Sequence, residues 1–573
     1  MAQPADTVAS PRSGGARRIR PSVGWLPPLA YLAAALVLTW PWVAKPTTTL
    51  IAPLGGDVST SVSKFSALLD SGVIPFFSDR LTSVAFPIGI PTTPGVDAAA
   101  AFSTLYLWIG SAVMGPVAAH GLMGVLGIFL TATVTYLFVK RVTGSMGAGL
   151  VAGVAYGSAP HLILMSWAAT TYSHMWLLLL PIWGFWNLTQ EPSRRTALLA
   201  GASLVPAIFW TPYFALHASV VGVACFAVIA ALGTRLGVSL RMLGLATLPW
   251  AAAYVVYLAI GVGSSFSDAP DRPLTDFYEQ AAHPLMFLWP GFASIWGDGV
   301  HEALVDLVPR AHNANIYVGL SVVALGAVGI WSTMRHWVKR RLAGRPSPQA
   351  VAAALALAVV VASLLCSLPP RVLNSAVPMP GSLVFEVAPG LRAGQRFVMP
   401  LMAGTAVLAG LGASAMLGRV RPRAVLPLAL VLALVVGVDL YTRPPLRTSE
   451  IPPSSPALEA LARAPDGPVV HIQPQGFLGG VPQRACLMQM VHHKTVVNSC
   501  GFTTPGPLIR VGESPMCRAL RTLRRSGVRY VLTEPLPPPA NVRACFERSR
   551  VGPWRTLAHD DLVWIFEMPP SRS

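Results

Sequence analysis

Asp57, in Leu54-Gly55-Gly56-Asp57-Val58, is the residue of this chain whose type and setting most directly offer chemistry. A Gly-Gly turn precedes it, and Ser59, Thr60, Ser61 and Ser63 follow. A carboxylate held there can take the proton of an alcohol, the work of a general base. The same residue also suits the start of a helix near Val58, where a side-chain oxygen satisfies free backbone N–H groups. Residue type alone leaves both roles open. Arg392 and Arg396 are four apart, so on a helix they share a face. Their guanidinium groups suit bidentate phosphate binding, although interfacial arginines also act as anchors that snorkel to lipid headgroups. His161, His174 and His283 can each contact a phosphate or a sugar hydroxyl, against the alternative of a structural histidine. Glu279, between Tyr278 and His283 and ahead of the apolar Pro284-Leu285-Met286-Phe287-Leu288-Trp289, is a second carboxylate for catalysis or substrate orientation.

These groups are positioned by a membrane. Of the 573 residues 53% are hydrophobic and only 12% charged, with 42 Lys+Arg against 24 Asp+Glu. Apolar runs of nearly 20 residues match the hydrocarbon thickness of a bilayer and exclude a soluble protein. The basic residues lie in short loops between the runs, where they fix orientation rather than bind nucleic acid. Residues 1–24 read as a cytoplasmic tail, rich in Pro, Ser and Gly and carrying Arg12, Arg17, Arg18 and Arg20. The apolar run after it lacks a small-residue cleavage site and reads as a retained signal anchor.

Eleven spans are predicted within a transmembrane domain of residues 25–440. They are Trp25–Val43, Val117–Val139, Met146–Trp167, His174–Leu188, Ala197–Thr211, Phe214–Leu232, Met242–Gly261, Ile316–Met334, Ala350–Leu368, Phe397–Leu417 and Ala424–Leu440. Residues 98–114 are placed along the outer surface, because a crossing there would turn every later basic cluster outward. With that choice Lys140-Arg141, Arg194-Arg195, Arg235 with Arg241, the run from Arg335 to Arg345, and Arg419, Arg421 and Arg423 all face inward. Two large loops, 44–116 and 263–315, then lie outside. Pro160, Pro181, Pro206 and Pro249 fall in or beside helices, where kinks leave room for a cavity.

After Leu440 the apolar runs shorten and arginine scatters, which marks a separate extracytoplasmic domain over 441–573. Short β-branched runs at 469–472, 495–497 and 528–532, a helix over Cys517–Arg525, and a hairpin around Asp560-Asp561 predict a small α/β module. Cys486, Cys500, Cys517 and Cys545 fall in it, and an oxidising exterior favours disulfides. Four cysteines allow three connectivities; Cys486–Cys500 with Cys517–Cys545 is the expected one. A zinc site is disfavoured, since no CxxC pair exists and His492-His493 lacks ligand spacing.

The chain resembles the GT-C superfamily of polytopic glycosyltransferases, and within it a bacterial mannosyl- and arabinosyltransferase-like branch. The likeness rests on Gly55-Gly56-Asp57, Phe86-Pro87-Ile88-Gly89, Ser158-Ala159-Pro160-His161, Ser173-His174 with Leu180-Pro181, and Asn315-Ile316-Tyr317-Val318-Gly319. Pro389-Gly390-Leu391-Arg392 with Arg396-Phe397, and Leu523-Arg524-Arg525-Ser526-Gly527-Val528-Arg529-Tyr530-Val531-Leu532, complete it. The resemblance implies a polyprenyl-phosphate-linked sugar as donor, inversion at the anomeric carbon, Asp57 as base, and Tyr317 among the substrate-binding residues. Many relatives carry a close pair of acidic residues, whereas Gly55-Gly56 precedes Asp57 here and Val58-Ser59 follows. A divalent cation is therefore disfavoured, and no other cofactor is expected; Asp79 or Asp97 would have to fold back to supply a second carboxylate.

The competing classes are a lipid or sugar transporter or flippase, and a non-catalytic envelope scaffold. Against transport, no internal repeat with matched broken helices is present, and charged residues are nearly absent from the spans. The expected protein is an α-helical, GT-C-like transferase with a C-terminal extracytoplasmic α/β domain. It is expected in the bacterial inner membrane, N-terminus cytoplasmic, passing a sugar to a lipid, glycan or protein acceptor on the outer face.

Overall fold

Helices of this chain start where a proline follows a turn. Pro116, Pro160, Pro212, Pro348 and Pro422 each occupy the first helical position, where the missing N–H costs nothing and the fixed φ is already helical. Thr211 and Ser347 accept hydrogen bonds from the amides of Phe214 and Ala350 at 3.2 Å, so the caps agree with the proline signal. In the computed structural model the described residues are 23–51, 57–76, 80–90, 100–261, 274–291, 294–308, 315–340, 346–369, 378–387, 391, 393–443, 448–451, 453, 455–472, 483–498, 506–512, 515–534, 545 and 554–568.

The elements used below are, in chain order, helices α1 (Leu26–Leu38), α2 (Asp57–Asp70), α3 (Ala101–Met114), α4 (Pro116–Thr143), α5 (Met146–Gly157), α6 (Pro160–Ala168), α7 (Leu179–Gln190), α8 (Arg194–Ala202), α9 (Pro212–Leu236) and α10 (Leu240–Gly261). They continue with α11 (Leu274–Glu279), α12 (Leu320–Arg340), α13 (Pro348–Ser367), α14 (Val398–Leu417), α15 (Pro422–Asp439), α16 (Pro456–Arg463), α17 (Gln483–His492) and α18 (Met516–Arg525). The strands are β1 (Thr49–Leu50), β2 (Ser449–Glu450), β3 (Val469–Ile472), β4 (Tyr530–Thr533), β5 (Arg555–His559) and β6 (Trp564–Glu567).

Each predicted span is occupied by helix. Six helices, α4, α9, α10, α13, α14 with its preceding turn, and α15, are long and apolar enough to cross a bilayer. A seventh crossing results if α5 and α6, bent by 48° at the break before Pro160, form one span. The remaining predicted spans are shorter or interrupted segments, such as α1 and α7. The chain is thus a multi-pass membrane protein. Pro249 is accommodated inside α10.

α14 is the central helix, buried at nearly every position and packed by α12, α13 and α5. Its neighbours come close because side chains are missing where backbones meet: a Cβ on Gly412 would run into the Leu325 carbonyl of α12, the small-residue seam that membrane helices use. α15 lies at the rim, with Leu426, Leu430, Val431, Leu434 and Val435 exposed as lipid contacts require.

At the end of the bundle where α4 begins, the chain after α15 forms a four-stranded sheet of order β3-β4-β6-β5, with β3 and β4 parallel and the others antiparallel. The β5–β6 hairpin turns at Asp560. One carboxylate oxygen accepts from the amides of Leu562 and Val563, at 2.8 and 2.9 Å, and the other from Ser455 and Ala457 at the start of α16. Burial pushes this carboxyl up, but those donors outweigh it and hold it below the usual range. The Cys517–Cys545 disulfide forms as expected, with Cα atoms 5.2 Å apart. Cys486 is disulfide-bonded too; its expected partner Cys500 lies outside the described residues.

This sheet is joined to the membrane bundle at three places. β1 pairs with β2, α2 packs on α17, and residues 83–86 run beside 496–498. There Phe86 and Ala85 donate to the carbonyls of Val496 and Asn498, and Val496 donates to Ser83. Val496 in turn bridges Val469 of β3. The turn after α2 therefore hydrogen-bonds through its main chain to the segment beside β3, which satisfies main-chain groups on both sides.

Candidate active site

Asp57 is the first residue of α2 and is exposed. A carboxylate there is favoured by the free N–H groups and the positive end of the helix dipole. The helix below it is fixed on two sides. Ser61 shares a 2.7 Å hydrogen bond with His120 Nε2, whose Nδ1 lies 2.7 Å from the Pro116 carbonyl, so α2 is tied to the start of α4. Val58 and Val62 are buried in one apolar cluster with Leu50, Val117, Ile451 and Leu487. That cluster joins both strands of the β1–β2 region and α17.

Arg396 lies in a 3-10 turn, Gly394–Phe397, directly before α14. Its guanidinium sits 4.5 Å from the Tyr172 ring and 4.3 Å from the Tyr213 ring, held by two aromatic faces. Tyr213 is itself oriented by a 3.1 Å hydrogen bond from the Ala393 amide to its hydroxyl. The Tyr172 hydroxyl lies within electrostatic range of both Arg396 and Asp57. Burial raises its pKa above the ordinary value against the pull of the Arg396 cation. Tyr172 is thus the common neighbour of the candidate base and the candidate phosphate ligand.

Two buried histidines lie within electrostatic range of Arg396. His161 is the second residue of α6, and His217 lies one turn into α9 with its ring 4.8 Å from Phe397. Both interact electrostatically with Arg396, and His217 also with His161. All four ring nitrogens lack a hydrogen-bond partner; the Asn315 main chain approaches His161 without reaching hydrogen-bond geometry. A buried polar group without a partner costs about 1–3 kcal/mol. Each neutral imidazole offers one N–H, so two donors without a partner beside a caged cation suit an anion that accepts hydrogen bonds.

The other expected residues are placed elsewhere. His174 is packed 4.5 Å from Trp210. Its Nε2 lies 3.1 Å from the Met123 carbonyl and its Nδ1 accepts from Trp176 at 3.0 Å, so both nitrogens serve the fold. The Tyr317 hydroxyl donates to Asp439 at 2.6 Å and accepts from the Leu320 amide, while Asp439 also accepts from the amide and hydroxyl of Ser321. This network pins the start of α12 to the end of α15. His283 caps the short helix Pro284–Leu288 by accepting from the Leu285 amide at 3.3 Å. Glu279 is exposed at the end of α11. Its neighbour Gln280 adjoins the Arg396 turn, the Gln280 carbonyl accepting from the Gln395 amide at 2.9 Å. Arg392, Asp79 and Asp97 lie outside the described residues. Among the described residues no group of three or more His, Cys, Asp or Glu is placed to hold a metal ion.

His217, Tyr172 and Tyr213 did not stand out in the sequence. For His217 a signal was present: it is the one charged or basic residue between Pro212 and Gly233, and an ionisable group inside a span is costly unless it has a function.

No family model and no curated protein matches the chain. Solved structures do. ArnT from Cupriavidus metallidurans, bound to undecaprenyl phosphate, superposes with a TM-score of 0.50 at 13% identity, covering 96% of this chain and 99% of that one. The Archaeoglobus fulgidus oligosaccharyltransferase, in complex with zinc and sulfate, gives 0.45 at 13%, over 88% and 68%. The arabinofuranosyltransferase AftD from Mycobacteria gives 0.48 at 15%, over 94% of this chain and 40% of that one. Spanning nearly the whole of ArnT, the chain has a GT-C-like fold.

Proposed function

We propose that the protein is an inverting membrane glycosyltransferase that moves a sugar from a polyprenyl-phosphate carrier to a hydroxyl of a lipid, glycan or protein acceptor. The observation that carries this reading is Arg396, caged by Tyr172 and Tyr213 and within electrostatic range of His161 and His217, with Asp57 within electrostatic range of Tyr172. ArnT, the neighbour whose fold this chain shares, is bound to undecaprenyl phosphate, which supports a carrier of that class.

In the transfer, the bond between the anomeric carbon and the phosphate oxygen breaks, and its electron pair stays on the phosphate. Arg396, His161 and His217 stabilise that charge where it develops, which fixed donors in a water-poor site do best. The acceptor oxygen bonds to the opposite face of the anomeric carbon, and its proton passes to Asp57. The protein crosses the membrane eleven times, with its N-terminus cytoplasmic and residues 441–573 outside, so the reaction takes place on the outer face.

The test is transfer from radiolabelled polyprenyl-phosphate sugars to membrane extract by purified wild type and by Asp57→Asn at matched folded yield. Loss of a base predicts a fall of roughly 10²–10⁴-fold with carrier binding retained. Equal activity in both would leave Asp57 as a helix-terminal residue only; no transfer by either, with every donor tried, would favour the transporter and scaffold classes.

A further inference from the structure

The region after α15 carries a charge pattern that neither the fold nor the proposed transfer uses. α18 buries Ala519, Leu520 and Leu523 against the domain, while Arg518, Arg521 and Arg525 are exposed on the other side. Spacings of three and four place them in one row along two helical turns, about 10 Å. Between Arg510 and Arg529 the sequence holds six arginines and one acidic residue, Glu513. The arginine ion pairs among the described residues are those of Arg443, Arg463 and Arg529, and none involves this row.

Helix stability does not account for the row. Arg524 and Arg525 suit the last turn, where cations meet the negative end of the dipole. Arg518 stands in the first turn, where the dipole opposes it. Arg518 and Arg521 repel at a spacing of three, and Arg521 and Arg525 at a spacing of four. Arg521 also spends its Nε on the Cys517 carbonyl at 3.1 Å, which fixes the guanidinium and leaves its terminal nitrogens for a ligand. The Cys517–Cys545 disulfide ties the start of the helix. Beyond its other end, a Cβ at Gly527 would lie 3.9 Å from the Phe86 ring, so the row runs toward the loop that follows the Asp57 helix.

We infer that this row docks a hydrated polyanion, a polymer bearing repeated phosphodiester or carboxylate groups, to which exposed guanidinium groups bind in a fork. Among the described residues after Tyr441 no large apolar side chain is exposed, so beside the row the described surface offers charge and no apolar anchor, which suits a polymer better than a lipid surface. On the outer side proposed above, the polymer is an acidic component of the cell envelope.

The test is binding of labelled long-chain polyphosphate to the full chain in zwitterionic nanodiscs, read without any transfer assay and so independent of the enzymatic proposal. The variant combining Arg518→Gln, Arg521→Gln and Arg525→Gln is expected to bind at least about tenfold more weakly at low salt, with a log–log salt slope shallower by about two. Its melting temperature should hold or rise, because repulsion is removed; should it fail to fold, Arg518→Gln alone must give part of the loss. A control with the same net charge combines Arg443→Gln, Arg463→Gln and Arg555→Gln and should bind as wild type does. Equal binding by the row variant and wild type, or equal weakening in the control, overturns the proposal. So does loss of wild-type binding in phosphatidylglycerol nanodiscs, which would assign the row to lipid headgroups.

Discussion

Arg396 gains its position from two aromatic faces rather than from an acid, which leaves its charge available to a ligand. A planar guanidinium can stack and bind a phosphate in a fork, whereas an ammonium cannot. Arg396→Lys is therefore expected to weaken binding of polyprenyl phosphate by about tenfold and Arg396→Ala by about a hundredfold, within the range of charged hydrogen bonds. Equal affinity for the lysine variant in a binding titration would show that charge alone matters. Asp57, Arg396 and His161 could be picked from the sequence because each is a polar exception in an apolar context. Their assembly through Tyr172 could not, since it joins residues from α2, α6, α9 and the turn before α14, with no shared local pattern. Conversely, His174 and Tyr317 carry the same residue-level signal but are consumed by neighbours, a distinction only packing makes.

One buried histidine of the C-terminal region also makes stability depend on pH. Burial, then the charges of Lys494, His493 and His471, hold His492 down to about 3. The folded state keeps it neutral while the unfolded chain binds a proton below about pH 6.5, so stability is lost as the pH falls through 6.5 toward 3. Melting temperature is expected to drop between neutral pH and about pH 4.5. His492→Asn, which keeps an acceptor for the Lys494 amide at 3.0 Å, should flatten that slope; an unchanged slope would place the titration elsewhere.

Between elements, the informative contact is α2 against α17, because it makes residues after the last span part of the wall that holds the candidate base. Leu487 is buried in the cluster that fixes Val58 and Val62, one and five residues after Asp57. Leu487→Ala should cost about 2–4 kcal/mol of stability in that region and lower kcat several-fold while carrier affinity at Arg396 stays within twofold. A fall in both together would mean general damage, and no change in kcat would mean that α17 does not set the base. The helical spans were legible because apolar length is a local property. The main-chain contact of residues 83–86 with 496–498 was not, because its partners lie some 400 positions away and no local pattern marks it.

On the scale of the molecule, the two ends of the bundle differ in charge and in role. α4 is 28 residues long, about 42 Å of helix, with the His120–Ser61 contact near Asp57 toward its start and Lys140 and Arg141 in its last turn, so the candidate site and the first basic loop lie at opposite ends. The bias of basic residues toward one side sets which end faces the cytoplasm, and this can be tested with little background. Cys225 and Cys366 are buried, and Cys486, Cys517 and Cys545 are disulfide-bonded. Single cysteines at exposed positions then report sidedness: Arg141→Cys and Arg423→Cys should react with an impermeant maleimide only after cells are opened, Arg555→Cys in intact cells. If Arg555→Cys reacts only in opened cells while Arg141→Cys reacts in intact ones, the bundle is inverted. A carrier-linked sugar on the outer face would then lie at the wrong end of the protein, and both Asp57 as an outer-face base and an envelope polymer on the arginine row would fall with it.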